Sequence, residues 1–163
     1  MFALTKKTDY AIVALSHLAQ RPDRVCTARE IAERFHVPPA MLTNILKKLA
    51  HEELVRSIRG AKGGYTLSRP ADQITLETII RAIEGPVRFV QCTAEPGAGV
   101  PICEITETCP VMGPVRKVHD RLTSFLNEVT LSDFAYDSEY ADPRETVELG
   151  MLTADGSRTA VGC

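Results

Sequence analysis

The feature that most restricts the fold of this chain is a pair of short amphipathic segments separated by a proline-containing turn. Thr27 followed three residues later by Glu30 predicts a capping box, since each side chain can bond to the other's backbone N–H group. Apolar residues then recur at helical spacing to position 35, and again from 42 to 49. Residues 36–39 between them contain two adjacent prolines, which favour a tight turn. This pattern predicts a helix-turn-helix.

A predicted β-hairpin follows the second of these helices directly. Residues 54–58 and 65–67 alternate in polarity as strands do, and the segment 59–64 between them is basic and rich in glycine. The glycines permit positive φ at the tip and leave Arg59 and Lys62 unobstructed. A nucleotide-binding loop would need Gly-Lys-Ser/Thr at the start of a helix, whereas Lys62 precedes two glycines and a strand. The hairpin therefore predicts the wing of a winged-helix domain.

Three further helices are predicted, over residues 5–20, 76–83 and 114–129. The fourth helix in chain order begins after Thr75 and ends at Gly85-Pro86. The last and longest carries an apolar stripe typical of a coiled coil, which predicts a dimer interface formed by Val115, Val118, Leu122, Phe125 and Val129. We therefore expect a mostly α-helical fold with a small β-hairpin. The predicted units are a winged-helix domain (1–85), a cysteine-bearing loop (86–111), a dimerisation helix (112–135) and a mobile acidic tail (136–163).

Charge is distributed unevenly along the chain. The formal net charge is −2, but residues 1–70 carry +6 and residues 71–163 carry −8. The basic half predicts a polyanionic partner. No apolar run approaches the ~20 residues that cross a bilayer, and the first residues lack the features of a signal peptide. We therefore expect a cytoplasmic protein without a membrane partner, whose cysteines act as ligands, redox sensors or core residues more often than in disulfides.

The sharpest chemical signal is the group Cys92, Cys103 and Cys109. Ten residues separate the first two and five separate the last two, wider than the two to four residues typical of zinc-binding pairs. Such gaps suit a loop that wraps around an iron–sulfur cluster, for which thiolates are the usual ligands. Binding of another metal, redox chemistry of the thiols, and simple burial remain open alternatives. An enzyme with a cysteine nucleophile is disfavoured because no histidine motif or oxyanion loop accompanies the thiols.

Three segments resemble the Rrf-two family of winged-helix bacterial transcription regulators, and in particular its IscR- and NsrR-like iron–sulfur regulators. They are residues 4–11 (LTKKTDYA), the wing at 55–65 (VRSIRGAKGGY), and the cysteine loop before a long helix. The resemblance implies a homodimer that binds a double-stranded DNA operator, with long helices that pair and a two-iron or four-iron cluster on the three cysteines. The histidine that the IscR-like branch places just after its last cysteine is missing, since Pro110 follows Cys109, but Asp9 lies where the NsrR-like branch uses an aspartate from the partner subunit. Asp9 is therefore the expected fourth ligand, ahead of Glu104, Glu107 and His119.

The candidate DNA-binding residues lie on the second helix of the helix-turn-helix and on the wing. The helix offers Ala40, Thr43, Asn44 and Lys47 to the major groove, where asparagine can pair with adenine. Arg59 suits a narrow minor groove, and Arg56 and Lys62 suit phosphates. The expected function is that of a repressor that senses redox state, nitric oxide or iron–sulfur status. The alternative is a cluster-free winged-helix regulator switched by thiol–disulfide chemistry of the three cysteines.

Overall fold

The computed structural model describes residues 4–60, 62–88, 90, 92, 103–106 and 108–136. Within these residues the chain is mostly helical with one two-stranded antiparallel hairpin, as the sequence predicts. The elements in chain order are α1 (Lys6–Ala19), α2 (Ala28–Phe35), α3 (Pro39–His51), β1 (Val55–Ile58), β2 (Gly64–Leu67), a short 3₁₀ helix (Ala71–Gln73), α4 (Leu76–Glu84), α5 (Met112–Glu128) and α6 (Leu131–Ala135).

The predicted helix-turn-helix is formed by α2 and α3. The Thr27 hydroxyl accepts a hydrogen bond from the Glu30 backbone N–H at 3.1 Å, as expected for the first half of the capping box. The Glu30 carboxylate instead lies 2.7 Å from the Arg24 guanidinium, so the prediction of its return bond was wrong. His36 ends α2 in the left-handed region with φ 54°. Helix α3 then begins at Pro39, where the missing N–H costs no helical hydrogen bond.

The hydrophobic core lies between α1, α2, α3, α4 and α6. Helix α1 is central, because it packs against α3, α4 and α6 as well as β2. Burial of a large apolar side chain in this core stabilises the fold by roughly 1.5–3 kcal/mol. The largest side chains that are fully or almost fully buried are Leu15, Leu18, Ile31, Leu42, Leu46, Leu49, Leu54, Ile74, Ile79 and Leu131.

The hairpin pairs Val55 with Leu67 and Ile58 with Gly64. A Cβ atom at Gly63 would clash with the Ile58 carbonyl oxygen, and one at Gly64 would lie 2.5 Å from the Cys26 carbonyl oxygen. Glycine is therefore required at both positions by the close approach of backbone. The wing is also joined to the chain before α2, since Cys26 and Tyr65 exchange two backbone hydrogen bonds of 3.1 and 2.8 Å.

The beginning of α1 is held by the end of α4, a contact that the sequence does not predict. Thr5 provides no side-chain cap for α1. Instead the Glu84 carboxylate accepts hydrogen bonds from the Thr5 backbone N–H, at 2.8 Å, and from the Thr8 hydroxyl. Desolvation raises the pKa of Glu84, but these hydrogen bonds outweigh it and lower the pKa below its usual value. The predicted start of α4 is confirmed, because the Thr75 hydroxyl accepts from the Thr78 N–H at 3.2 Å.

Helix α5 begins at Met112, two residues before the predicted start, and a proline in its first turn is tolerated there. Helix α6 was not predicted; it starts with a capping box between Thr130 and Asp133. Its end is tied to α1 by the Tyr136 hydroxyl, which donates to the Ala19 carbonyl oxygen at 2.7 Å. Among the described residues no helix has both the length and the apolar character of a membrane span. The predicted mobile tail lies outside the described residues from position 137 onward.

Candidate nucleic-acid interface and cysteine site

Helix α3 presents the expected polar face to solvent. Ala40, Asn44 and Lys47 are exposed, and Thr43 is half-buried. The Thr43 hydroxyl donates to the Pro39 carbonyl oxygen at 2.8 Å, so its proton is already used within the helix. This leaves the methyl group and the oxygen lone pairs of Thr43 for contacts with DNA. The opposite face of α3 is buried in the core, which fixes the direction in which the polar face points.

The wing residues predicted to contact DNA are also exposed. Arg56 on β1 and both Arg59 and Lys62 in the connecting turn have solvent-accessible side chains. The turn is closed by a hydrogen bond from the Gly63 N–H to the Gly60 carbonyl oxygen at 2.9 Å. Gly60 has φ 119°, a conformation that other residues rarely adopt. The backbone of the wing tip is thus shaped by glycine, and the tip carries the two cations Arg59 and Lys62.

A groove of about 510 Å³ connects the start of α1 with the start of α3. Lys7, Ala40 and Asn44 contribute to its lining, together with Lys48. The Lys48 ammonium donates to the Ile83 carbonyl oxygen at 2.8 Å at the end of α4, so it links α3 to α4 beside the groove. The groove therefore places one cationic residue of α1 next to two of the predicted base-contacting positions.

Cys92, Cys103 and Cys109 are all half-buried, and none of them forms a disulfide. Local hydrogen bonds shape their surroundings: Thr106 donates to the Cys103 carbonyl oxygen through both its N–H and its hydroxyl, at 3.1 and 2.6 Å. Within the described residues the three thiols do not come close enough to one another to hold a single metal ion. Most of the segment that joins Cys92 to Cys103 lies outside the described residues.

Asp9, the expected fourth ligand, is exposed in the first turn of α1, directly after the buried Thr8 that bonds to Glu84. It is not grouped with the three cysteines in a single-ion site in this chain. Of the other candidates, Glu104 is exposed, and His119 is half-buried with an Nδ1 atom that has no hydrogen-bond partner. Glu107 lies outside the described residues. His119 is thus the alternative with an unused ligand atom.

The structure reveals a second group of potential metal ligands that the sequence analysis does not select. One ligand atom each of His17, Cys26 and Glu30 lies within 4.8 Å of the other two. These residues belong to α1, to the residue before the α2 cap, and to the first turn of α2. Each is isolated in the sequence, and only the packing of α1 against α2 brings them together. The one sequence feature that could have indicated this group is Cys26 directly before the capping residue Thr27. A single cysteine at such a position is most simply interpreted as a core residue.

The apolar stripe of α5 is only partly covered by the residues that the structure describes. Val118 and Phe125 are 44% and 58% exposed, and Val115, Leu122 and Val129 are half-buried. Leu126, beside the predicted stripe, is the one buried residue of α5. Two further apolar side chains at the approach to the helix, Ile105 and Val111, are 59% and 55% exposed.

Comparison with known proteins places the whole arrangement in one family. The family model for Rrf2, described as an iron-dependent transcriptional regulator, matches residues 4–137. The chain belongs to the Rrf2 family. It is 31% identical over 140 residues to the HTH-type transcriptional regulator IscR of Sodalis glossinidius, which covers 85% of this chain and 82% of that protein. It is 31% identical over 130 residues to protein aau3 of Rhizobium meliloti, which covers 80% of this chain and 82% of that protein.

Solved structures of Rrf2-family regulators have the same fold. The cysteine regulator CymR of B. subtilis matches with a TM-score of 0.67 and 29% identity, over 87% of this chain and all of CymR. IscR of T. potens matches with a TM-score of 0.62 and 26% identity, over 89% of this chain and 96% of that one. This protein is therefore a winged-helix transcription regulator of a DNA-binding family whose members commonly act as dimers.

Proposed function

We propose that this Rrf2 regulator is a homodimeric repressor that senses redox state, nitric oxide or iron–sulfur status through a cluster on Cys92, Cys103 and Cys109. The observation that carries the proposal is the position of these three side chains. All three are half-buried on the connection between α4 and α5, and none of them is in a disulfide. A set of thiols without disulfides matches the ligand chemistry of an iron–sulfur cluster. The similarity to two IscR proteins supports the same assignment.

Asp9 completes the proposed ligand set from the partner subunit. It is exposed on α1 and is not grouped with the cysteines of its own chain, which suits a role across a dimer interface. An oxygen ligand is weaker than a thiolate at iron, so one iron would remain accessible to a small oxidant. A cluster bound there supplies a centre that reacts with oxidants or nitric oxide.

The packing of α1 offers a route from Asp9 to DNA. Helix α1 carries Asp9 and packs against the recognition helix α3. The groove formed by Lys7, Ala40 and Asn44 lies at this contact. A change at Asp9 would shift α1 together with the start of α3, and it would alter DNA affinity to the extent that the operator distinguishes the two positions.

Dimerisation is assigned to α5. Its stripe of Val115, Val118, Leu122, Phe125 and Val129 is exposed or half-buried in one chain, and exposed apolar patches mark surfaces that bind a partner. A second copy of α5 offers the same apolar surface, and two such stripes can pack in the manner of a coiled coil. Paired α5 helices would also bring the cysteine loop of one subunit toward the other.

The test of the cluster is anaerobic purification of the wild type and of the Cys92→Ala, Cys103→Ala and Cys109→Ala variants. We expect iron, acid-labile sulfide and visible absorbance in the wild type, and their loss in every cysteine variant. Cys163→Ala is the control, because Cys163 is not among the proposed ligands, and it should keep the full iron and sulfide content. Full cluster content in a variant with Cys92, Cys103 and Cys109 all replaced by alanine would exclude the proposed ligands.

The same samples decide between the cluster and the alternative thiol switch. If oxidation of metal-free protein forms a disulfide among these cysteines and abolishes operator binding, the thiol mechanism is favoured. If operator binding depends on the cluster and is indifferent to thiol oxidants, the cluster mechanism stands. Asp9→Ala should retain the three thiolate ligands but bind the cluster less tightly, and unchanged cluster stability in Asp9→Ala would exclude the bridging ligand alone.

A further inference from the structure

The group of His17, Cys26 and Glu30 has the composition of a metal site and lies apart from the cysteine loop. His17 is 2% exposed, Cys26 is fully buried, and Glu30 is half-buried. One ligand atom of each lies within 4.8 Å of the other two. Imidazole, thiolate and carboxylate are the three ligand types that Zn²⁺ accepts in tetrahedral sites.

The side chain that best indicates a metal site is His17. Its Nδ1 lies 3.2 Å from an Arg21 guanidinium nitrogen, while its Nε2 is buried and has no hydrogen-bond partner among the described residues. A guanidinium can only donate, so Nδ1 accepts and Nε2 carries a proton without a hydrogen-bond acceptor. The Phe35 ring packs edge-to-face against the imidazole, with 5.3 Å between the ring centroids. A buried donor in this state destabilises the fold. A metal ion at Nε2 would remove this unsatisfied proton.

The charges around the group are compatible with a divalent cation. Burial, assisted by Arg21, Arg34 and Arg24, lowers the pKa of His17 to about 4, so the ring is neutral near pH 7 as a ligand must be. Burial and Glu30 raise the pKa of Cys26, against the opposing effect of Arg24 and Arg21, so Cys26 is a thiol when no ion is bound. Once Cys26 loses its proton, the Cys26 thiolate and the Glu30 carboxylate carry two negative charges, which match the charge of the ion and oppose the field of the arginines.

We propose that His17, Cys26 and Glu30 bind a single Zn²⁺ ion, with a water molecule as the fourth ligand. Binding releases the thiol proton of Cys26 to solvent. The imidazole proton moves from Nε2 to Nδ1, and Arg21 gives up its contact with Nδ1. The site is independent of the proposed iron–sulfur cluster, because it shares no residue with it.

The position of the site links it to the wing. Cys26 exchanges two backbone hydrogen bonds with Tyr65 on β2, and a Cβ atom at Gly64 would touch the Cys26 carbonyl oxygen. An ion on the Cys26 side chain would therefore fix the connection between α1 and α2 and the base of the wing together. Occupancy of the site is expected to raise thermal stability, since Zn²⁺ binds the folded state.

The experiment uses the full chain with Cys92, Cys103, Cys109 and Cys163 replaced by alanine, so that Cys26 is the one remaining thiol. Titration with Co²⁺ should produce the charge-transfer absorption of a cobalt–thiolate bond, saturating at one equivalent, and Zn²⁺ should displace it. Cys26→Ser should abolish the absorption. His17→Gln and Glu30→Gln should each weaken Co²⁺ binding at least tenfold. The exposed His36→Gln and Glu33→Gln serve as matched controls and should bind as tightly as the parent.

Absence of the thiolate absorption at millimolar Co²⁺ in a protein with native circular dichroism would overturn the proposal, and so would unchanged binding in His17→Gln. If the alanine-substituted chain does not fold, the wild type and Glu30→Gln are compared instead. Zn²⁺ should then raise the Tm of the wild type by several degrees more than that of Glu30→Gln. Equal shifts in the two proteins would overturn the proposal, whatever the outcome of the cluster experiments.

Discussion

Helices α3 and α5 are both amphipathic and differ in where their apolar sides lie. Helix α3 buries Leu42, Ile45, Leu46 and Leu49 in the core of its own chain and exposes a polar face. Helix α5 is longer, yet it buries Leu126 alone and leaves Val118 and Phe125 exposed. An apolar stripe therefore identifies a surface that must be covered, but its own sequence does not say whether the same chain or a second copy covers it.

The largest effect is expected in the core beneath α3. Leu46→Ala should lower the free energy of unfolding by about 2–5 kcal/mol, because it leaves a cavity among fully buried neighbours. Urea denaturation of the two proteins measures this difference. Lys47→Ala, at the adjacent exposed position, should change the free energy of unfolding by no more than about 0.5 kcal/mol. Equal effects at the two positions would mean that α3 does not face the core as described.

The second effect tests the role of α5. Leu122→Asp with Phe125→Asp should raise the dimer dissociation constant at least a hundredfold, or about 3 kcal/mol, by placing charges in an apolar seam. Sedimentation should show monomers, and circular dichroism should show whether they remain helical. Lys117→Asp, exposed on the same helix, is the control for added negative charge. If the double variant is a folded dimer, the dimer interface does not include this stripe.

The polar face of α3 is tested by the DNA affinity of Asn44→Ala. Loss of a bidentate contact with a base should weaken operator binding by about 1–3 kcal/mol, roughly 5- to 150-fold, with little effect on unrelated DNA. Arg59→Ala should weaken operator binding while the dimer stays intact. His51→Ala, at an exposed position at the far end of α3, is the control and should change neither operator binding nor the dimer. Fluorescence anisotropy over a range of salt concentrations measures all three. Wild-type affinity of Arg59→Ala throughout that range would rule out the wing contact.

The smallest effect concerns the contact between the end of α4 and the start of α1. Glu84→Gln should lower the free energy of unfolding by about 1 kcal/mol near pH 7, because Thr5 and Thr8 lose a charged hydrogen-bond acceptor at a partly solvated site. The pKa of Glu84 is lowered in the folded state, so its contribution is present above the unfolded pKa and disappears as pH falls through the folded one. Denaturation curves of wild type and variant should therefore converge in acid. A constant difference down to low pH would contradict this assignment.

Local patterns predicted most of the secondary structure correctly. The helices α1 to α5, the hairpin and the Thr75 cap follow from periodicity, capping residues and glycine, all of which act between residues close in the sequence. Helix α6 was missed because it has five residues, too few for periodicity to be visible. The second arm of the Thr27 capping box failed because Arg24 competes for Glu30, and an ion pair replaces the expected hydrogen bond.

The candidate site residues also fall into those whose placement could be predicted from the sequence and those whose placement could not. Exposure of Ala40, Asn44 and Lys47 could be predicted, because a helix with one apolar face must present the other to solvent. The group of His17, Cys26 and Glu30 could not, since its members lie in separate segments and each is unremarkable alone. The attachment of Glu84 to α1 joins residues 79 positions apart and has no sequence pattern of its own.

The sequence alone therefore determined the order of the helices, the turn and the wing, and it placed three thiols in one connection. Short-range geometry and side-chain chemistry dictate these features. The tertiary structure decided which apolar faces are covered within the chain, which carboxylate caps α1, and which imidazole and thiol meet at the base of the wing. These outcomes depend on how α1 packs against its neighbours. That packing is a property of all the buried surfaces together, and no single segment contains it.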